Sequence, residues 1–271
     1  ISAPIQLDAG TLAATFTHAG SGAFPATEAS TGSVGDNDYD FTSIGVPLAS
    51  GIAAGQFDAA SFTTVPDVTV EQDETLDISG NTIPAELQAF VTAGDVSIVD
   101  DVTYTITNDD SATITLRDKT TGNATSATVA EDGTTTVVEW NISNPIQLVA
   151  GTAAATFTHA GSGAFPATEA STGSVGDNDY DFTSIDVALA GGIAAGQFDA
   201  ASFATVPDNT VEQDETLDIS GNTIPVELQA FVTAGDVNIV DDVTYTITNV
   251  DTATITLRDR LADHTSEPHV R

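Results

Sequence analysis

Short clusters of carboxylates are the groups in this chain whose type and spacing could do chemistry. They are DNDYD at 36–40 and 177–181, PDVTVEQDE at 66–74 with its counterpart PDNTVEQDE at 207–215, and NDD at 108–110 with its counterpart NVD at 249–251. A further acidic motif, EDG at 131–133, occurs once. Each motif lies on a predicted loop beside a predicted strand. Carboxylates from separate loops could therefore converge at one end of a sheet.

Clusters that offer only oxygen favour calcium over zinc. Calcium takes about six to eight oxygens from carboxylates, carbonyls and water, in forgiving geometry. Zinc sites use cysteine and histidine, and this chain has no cysteine and only four histidines. An EF-hand is excluded, because the sixth and twelfth positions counted from Asp36 are Phe41 and Pro47 instead of glycine and glutamate. We therefore expect Ca²⁺ to be held by several loops.

The charge balance also points to cations. The chain has 40 acidic and 5 basic side chains, and the 17 acidic residues from Ile1 to Leu116 have no lysine or arginine among them. Two carboxylates about 4 Å apart repel by about 4 kcal/mol at an effective dielectric near 20. A surface adapted to high salt would spread these charges evenly, whereas this chain clusters them, which favours bound metal ions. The same field makes nucleic acid and anionic lipid poor partners.

The chain is an internal repeat. Residues Pro4–Asp118 align without gaps to Pro145–Asp259, an offset of 141, and 11 of these 115 pairs differ. We expect copy one at 1–110, copy two at 111–251 as a full period, and a tail at 252–271 that starts a next unit or diverges. The phase of the repeat predicts that copy one lacks its N-terminal strands, the first two of its unit, or receives them from elsewhere.

Short alternating or β-branched segments bounded by Gly, Asn and Asp predict an all-β fold. Seven or so short strands per period, without long helices, predict a sandwich of two sheets. One stretch, Pro84–Phe90, predicts a short helix with proline at its first position. Trp140 alternates with Val138 and Ile142, so we expect it in the core between the sheets and not on a sugar-stacking surface.

The order of the motifs resembles that of the Calx-β domain. The matching order is EDG, DYDF, a strand with AGQ, PD-x-T-x-EQDE and TITNDD, and it spans most of each period. Calx-β domains occur in sodium–calcium exchangers and in the repeats of large bacterial surface adhesins. The resemblance implies tandem immunoglobulin-like antiparallel β-sandwiches that hold Ca²⁺ in loops at one end. It also implies a secreted or cell-surface location.

The resemblance implies ten candidate metal ligands. They are Asp38, Asp67, Glu71, Asp109 and Asp110 in copy one, and Glu131, Asp179, Asp208, Glu212 and Asp251 in copy two. Copy two has Val250 where copy one has Asp109, and copy one has no counterpart of Glu131. These departures imply one or two ions per copy. Weaker candidates are Asp73, Glu74, Asp214 and Glu215, because a glutamate at a strand edge often faces water.

The expected function is a calcium-rigidified extender or stalk repeat of an extracellular adhesin or biofilm matrix protein. Its partners would be neighbouring repeats. The tail segment ATITLRD could also add as a strand to copy one of another molecule and polymerise the chain head to tail. The alternative is an extracellular ligand-binding module for polysaccharide or another surface, although one tryptophan and four tyrosines leave few stacking aromatics.

Neither catalysis nor membrane insertion is expected. No nucleophile elbow or oxyanion glycine pattern accompanies His18 or His159, so we expect each to be a hydrogen-bonded histidine at a strand end. No apolar run approaches the roughly 18 residues that a membrane-spanning helix needs.

Overall fold

The computed structural model describes residues 1–8, 10–29, 37–99, 101–123, 125–170 and 178–257. Within these ranges the chain forms fourteen strands and two short helices, so the predicted all-β class is confirmed. The first residue of each DNDYD motif and the tail from 258 onward lie outside the described residues. No helix in the described ranges is long and apolar enough to cross a bilayer.

Copy one contributes five strands and one helix. They are β1 (Thr15–Ser21), β2 (Tyr39–Ser43), β3 (Ala60–Thr64), β4 (Glu74–Thr82), α1 (Ala85–Ala93) and β5 (Val102–Ile106). Copy two contributes β6 (Ala112–Asp118), β7 (Ser126–Ala130), β8 (Thr135–Ile142), β9 (Thr156–Gly161), β10 (Tyr180–Ser184), β11 (Gly196–Thr205), β12 (Glu215–Thr223), α2 (Val226–Ala234), β13 (Val237–Val240) and β14 (Asp242–Thr248).

The strands of copy two form a sandwich of two sheets. One sheet has the order β10-β11-β8-β6-β13 and the other has the order β7-β14-β12-β9. All pairs are antiparallel except β13 with β6 and β14 with β7. The chain crosses between the two sheets at every connection except the one from β10 to β11. This strand order is immunoglobulin-like, as the motif order implies.

Alternating side chains from both sheets meet in one core. On β6 the inward-facing Ile114 and Leu116 are fully buried, while Thr113 and Thr115, which alternate with them, are more exposed. Trp140 of β8 is fully buried and packs edge-to-face on Phe157 of the opposite sheet, with ring centroids 5.1 Å apart. The prediction that Trp140 lies in the core is therefore confirmed.

The two helices are short and equivalent. The prediction of a helix at 84–90 is confirmed in substance, but Pro84 is the N-cap residue with φ −58° and the helix itself starts at Ala85. The helix ends at Gly94, whose φ of +86° lies in the left-handed region that favours glycine. The positive φ turns the chain sharply towards the last strands of the copy.

Copy one is an incomplete sandwich within the described residues. Its sheets are β1-β4-β5 and β2-β3, which correspond to β9-β12-β14 and β10-β11 of copy two. Four strands of copy two have no counterpart in copy one. The repeat phase leaves out β6, β7 and β8, where we predicted two missing strands, and residues 96–99, which correspond to β13, are in no strand. Tyr104 and Val102 of β5 are consequently exposed, whereas their counterparts Tyr245 and Val243 are buried.

One backbone contact joins copy one to copy two at Val70. The Val70 N–H donates to the Pro145 carbonyl at 2.9 Å, and the Gln147 N–H donates to the Val70 carbonyl at 2.9 Å. The pairing with Ile146 is parallel. Val70 is 0% exposed and belongs to the hydrophobic core of copy two. The junction between the copies is therefore packed and not a free linker.

Candidate metal centre

Asp179 is held at the start of β10 by the loop after β9. Gly161 ends that strand so close to the Ala167 backbone that a Cβ atom would collide with it. The loop folds back there, and the Ala167 N–H donates to the Thr216 carbonyl at 3.0 Å. The next N–H, of Thr168, donates to Asp179 Oδ2 at 2.5 Å. The Asp179 side chain is thereby fixed in an almost fully buried position.

Glu131 approaches the same position from the end of β7. Its N–H donates to the Thr248 carbonyl at 3.1 Å, which ties the residue to the end of β14. The side chain is 3% exposed, and Oε1 is shielded from solvent without a hydrogen-bond partner. A buried carboxylate oxygen without a donor is costly, so this group needs a proton or a cation.

Two more loops supply Asp208, Glu212 and Asp251. Asp208 begins the turn between β11 and β12, where its Oδ1 accepts the Thr210 N–H at 2.6 Å. Asp251 follows β14, and its N–H donates to Asn249 Oδ1 at 2.6 Å. Asp251 Oδ2 is also buried without a hydrogen-bond partner. In both loops a polar side chain locks the backbone turn, which orients the acidic groups.

Three of these carboxylates lie close enough together to share an ion. Glu131, Asp179 and Glu212 each have one carboxylate oxygen within 4.8 Å of an oxygen of the other two. Oxygens bound at about 2.4 Å to one calcium ion lie no more than about 4.8 Å apart. The three side chains therefore have the spacing of ligands to a single hard cation.

The pKa of Glu131 is affected by the other four predicted ligands of copy two. Burial is the largest cause that raises its pKa to about 7, and the negative charges of Asp208, Glu212, Asp179 and Asp251 raise it further. A carboxyl group that remains protonated near neutral pH binds a metal ion in competition with its proton.

Basic side chains do not neutralise this cluster in the part of the chain that the structure describes. Arg117 Nε contacts Glu139 Oε1 at 2.9 Å, and Lys119 Nζ contacts Asp199 Oδ1 at 2.7 Å. Both cations are thus engaged with carboxylates outside the candidate centre. A metal ion remains the cation whose chemistry suits it.

Copy one has a related cluster with a different third member. One oxygen each from Asp38, Glu71 and Glu74 lie within 4.8 Å of one another. Asp38 matches Asp179, and its Oδ2 accepts the Thr27 N–H at 2.5 Å. Glu74 is the third member of this cluster, whereas Glu131 is the third member in copy two. Copy one, which has no Glu131, therefore completes its cluster from its own β4.

Glu74 was the weaker candidate from sequence, because a glutamate at a strand edge often faces water. In the structure Glu74 is buried and faces the cluster. Its counterpart Glu215 is only half-buried, in the copy that has Glu131. The only sequence signal was the absence of a Glu131 counterpart, which leaves the position open for another carboxylate.

The three remaining candidates of copy one form a neighbouring group. The pKa of Asp110 is raised by burial first, and then by the charges of Asp109 and Asp67. Asp67 Oδ1 accepts the Thr69 N–H at 2.8 Å, as Asp208 does in copy two. Asn108 Oδ1 accepts the Glu71 N–H at 3.2 Å and so connects this group to the loop that carries the first cluster.

The histidines have structural partners. His18 Nδ1 lies 2.9 Å from the Tyr39 hydroxyl, and His159 Nδ1 lies 2.9 Å from the Tyr180 hydroxyl. Each ring also stacks on a phenylalanine two residues after that tyrosine. The predicted hydrogen bonds are confirmed, but both histidines lie within their strands and not at strand ends.

Comparison with known proteins gives a likeness to solved structures of calcium binding domains. No protein-family model and no curated protein matches the chain. The calcium binding domain CBD12 of CALX1.1 is similar with 13% identity and a TM-score of 0.26, covering 90% of this chain and 91% of that one. CBD12 of CALX1.2 is similar with 12% identity and a TM-score of 0.27, covering 88% of each chain. The carboxylate geometry, and not this likeness, supports the function proposed below.

Proposed function

We propose that both copies bind Ca²⁺ through their carboxylate clusters. The observation that carries the proposal is Glu131, a buried carboxylate with an unpartnered oxygen and four further carboxylates around it. In copy two the ligands would be Glu131, Asp179, Asp208, Glu212 and Asp251. In copy one they would be Asp38, Glu71 and Glu74, with Asp67, Asp109 and Asp110 beside them. The chemistry supplied by the ion is charge neutralisation and crosslinking of the loops.

The wider role that we propose is a calcium-stiffened extender repeat of an extracellular adhesin or matrix protein. Glu71, a ligand candidate of copy one, directly follows Val70, which pairs with copy two. An ion bound by Glu71 would therefore order the loop segment that contacts copy two. Extracellular calcium modules have dissociation constants of about 0.1–1 mM, which suits a site filled outside cells.

Asparagine at position 179 should weaken calcium binding to copy two by at least about tenfold. Asp179→Asn keeps the size of the side chain but removes a ligand charge from the buried cluster. Asp181→Asn is the matched control, because Asp181 lies in the same DYDF motif with an exposed side chain. Calorimetric titration with calcium measures both variants. Equal binding by wild type and Asp179→Asn would contradict the proposed ligand set.

Calcium affinity of copy two should fall as the pH is lowered below neutrality. Because the pKa of Glu131 is about 7, its proton competes with the ion below that pH and is absent above it. The apparent dissociation constant should be about tenfold weaker at pH 6 than at pH 8. Titration at both pH values, with Glu131→Gln as the variant that should lose the dependence, measures this effect. An affinity independent of pH in the wild type would exclude Glu131 as a ligand.

A further inference from the structure

The junction between the copies consists of a donor end and an acceptor end. The donor end consists of Val70 of copy one and the strand β6 that directly follows copy one in the chain. Copy two supplies the acceptor end: β13 pairs in parallel with β6, Val237 opposite Ala112, and Ile146 pairs with Val70. Phe24 of copy one lines a cleft with Leu148 and Phe231 of copy two at the same junction.

The donor end of copy two repeats these features but is uncovered. Residues 253–257 have the sequence ATITL of residues 112–116 in β6. Ile255 and Leu257 are 93% and 96% exposed, whereas Ile114 and Leu116 are 0% exposed. Val211, the counterpart of Val70, is 51% exposed where Val70 is 0% exposed. Phe165, the counterpart of Phe24, is also exposed.

The acceptor end of copy one is equally open. Residues 96–99 correspond to β13 but are in no strand, and Val99 is exposed. Beside them lies an apolar groove, whose lining includes Ile5, Phe16, Leu48, Leu87, Phe90 and Ile98. The counterparts of these six residues in copy two pack in one cluster with Ile114 and Leu116. The groove in copy one thus has the lining that accommodates a β6 strand in copy two.

We propose that a second copy of this chain docks here and reproduces the internal junction between molecules. Residues 253–256 of one molecule add in parallel to residues 96–99 of the next, with Ala253 opposite Val96 and Ile255 opposite Ile98. Ile255 and Leu257 enter the apolar groove, as Ile114 and Leu116 enter the core of copy two. The register follows from the β6–β13 pairing and the repeat offset.

A second contact fixes the relative orientation of the two molecules. Val211 of one molecule pairs with Ile5 of the next, so that the Val211 N–H donates to the Pro4 carbonyl. The Gln6 N–H in turn donates to the Val211 carbonyl, as Gln147 does to Val70 within the chain. The donor surface and the acceptor surface consist of different residues. The contact is therefore heterologous and extends into linear chains of molecules.

Sedimentation velocity of the full chain at increasing concentration tests the assembly. We expect a series of linear oligomers that grows with concentration. Ile255→Asp combined with Leu257→Asp should weaken association by on the order of a hundredfold or more, because two apolar side chains lose their burial. Ile185→Asp is the matched control, since Ile185 and its counterpart Ile44 are exposed in both copies and so lie outside the junction. A monomer at all concentrations, or a closed dimer that does not grow, would overturn the proposal.

Cysteine pairs test the register, because the chain has no cysteine of its own. Ser97→Cys with Thr254→Cys places thiols at paired positions of neighbouring molecules and should give a reducible ladder of multimers on oxidation. Ser97→Cys with Thr256→Cys is out of register and should crosslink at least about tenfold less. The internal pair Thr113→Cys with Asn238→Cys shows how efficiently this pairing crosslinks within one chain. Equal ladders from both intermolecular pairs would overturn the register.

Assembly and calcium binding are separable in these experiments. None of the residues that pair across the proposed contact belongs to the carboxylate clusters. Each sedimentation series is run in calcium and in chelator. Linear oligomers that form without calcium would support the junction by itself, while a chain that binds calcium but remains monomeric in both buffers would overturn the junction and leave the metal sites standing.

Discussion

Glutamine at position 131 should stabilise copy two in chelator relative to wild type, and calcium should remove most of this gain. Without an ion, the raised pKa of Glu131 means that folding opposes its ionisation. The stability present below pH 4.5 is lost as the pH rises through about 7. At pH 8 the full shift corresponds to roughly 3 kcal/mol, and Glu131→Gln relieves this cost because the amide is neutral.

In calcium the gain shrinks, because the variant loses a ligand that the wild type uses. An ion at about a hundredfold excess over its dissociation constant contributes about 2.7 kcal/mol to the wild type. Trp140 is the only tryptophan, so its fluorescence during denaturation reports copy two alone. Asp132→Asn is the control, since Asp132 is the exposed neighbour of Glu131 and should change stability little in either buffer. A gain of the same size in both buffers would refute the proposed site.

Asparagine in place of Val70 should destabilise the chain by about 3 kcal/mol or more. The substitution removes a fully buried valine from the core of copy two and leaves a polar group in its place. Val211→Asn makes the same change at the equivalent position of copy two, where the side chain is half exposed. It should cost less than about 0.5 kcal/mol in dilute solution.

Chemical denaturation of the two valine variants, followed by Trp140 fluorescence, measures the difference. Because Val70 lies in copy one and Trp140 in copy two, a large effect of Val70→Asn on the fluorescence transition would show that the copies are coupled through their junction. Similar small effects of Val70→Asn and Val211→Asn would mean that the junction does not stabilise copy two.

Local patterns were sufficient to predict the class of fold and most of its pieces. The alternation around Trp140 predicted a buried strand, because residues two apart face the same side of a sheet. PAELQAF predicted a helix, since proline suits a helix start and the residues after it favour helix. The histidines were predicted to be hydrogen bonded, but their position within strands depended on where the strands end, which local signals define poorly.

For the candidate site, the sequence predicted the ligand residues better than their burial. The motif order marked the ten carboxylates. In copy two the structure brings Glu131, Asp179 and Glu212 within 4.8 Å of one another, and the charges of Asp208 and Asp251 also raise the pKa of Glu131. Glu74 of copy one was judged a weaker candidate, because its local sequence is identical to that of Glu215 and does not show whether it is buried. In the structure Glu74 is buried and lines a cleft with Leu148 and Phe231 of copy two, which are distant in sequence.

The repeat, the all-β class, the acidic character and the residues able to bind a cation could all be predicted from the amino-acid sequence. These are properties of composition, period and short-range spacing. Which carboxylates meet, the burial of Val70 against the exposure of Val211, and the exposure of Ile255 and Leu257 became visible in the folded chain. Identical segments differ in these respects because burial and electrostatic repulsion depend on distant parts of the chain that fold beside them.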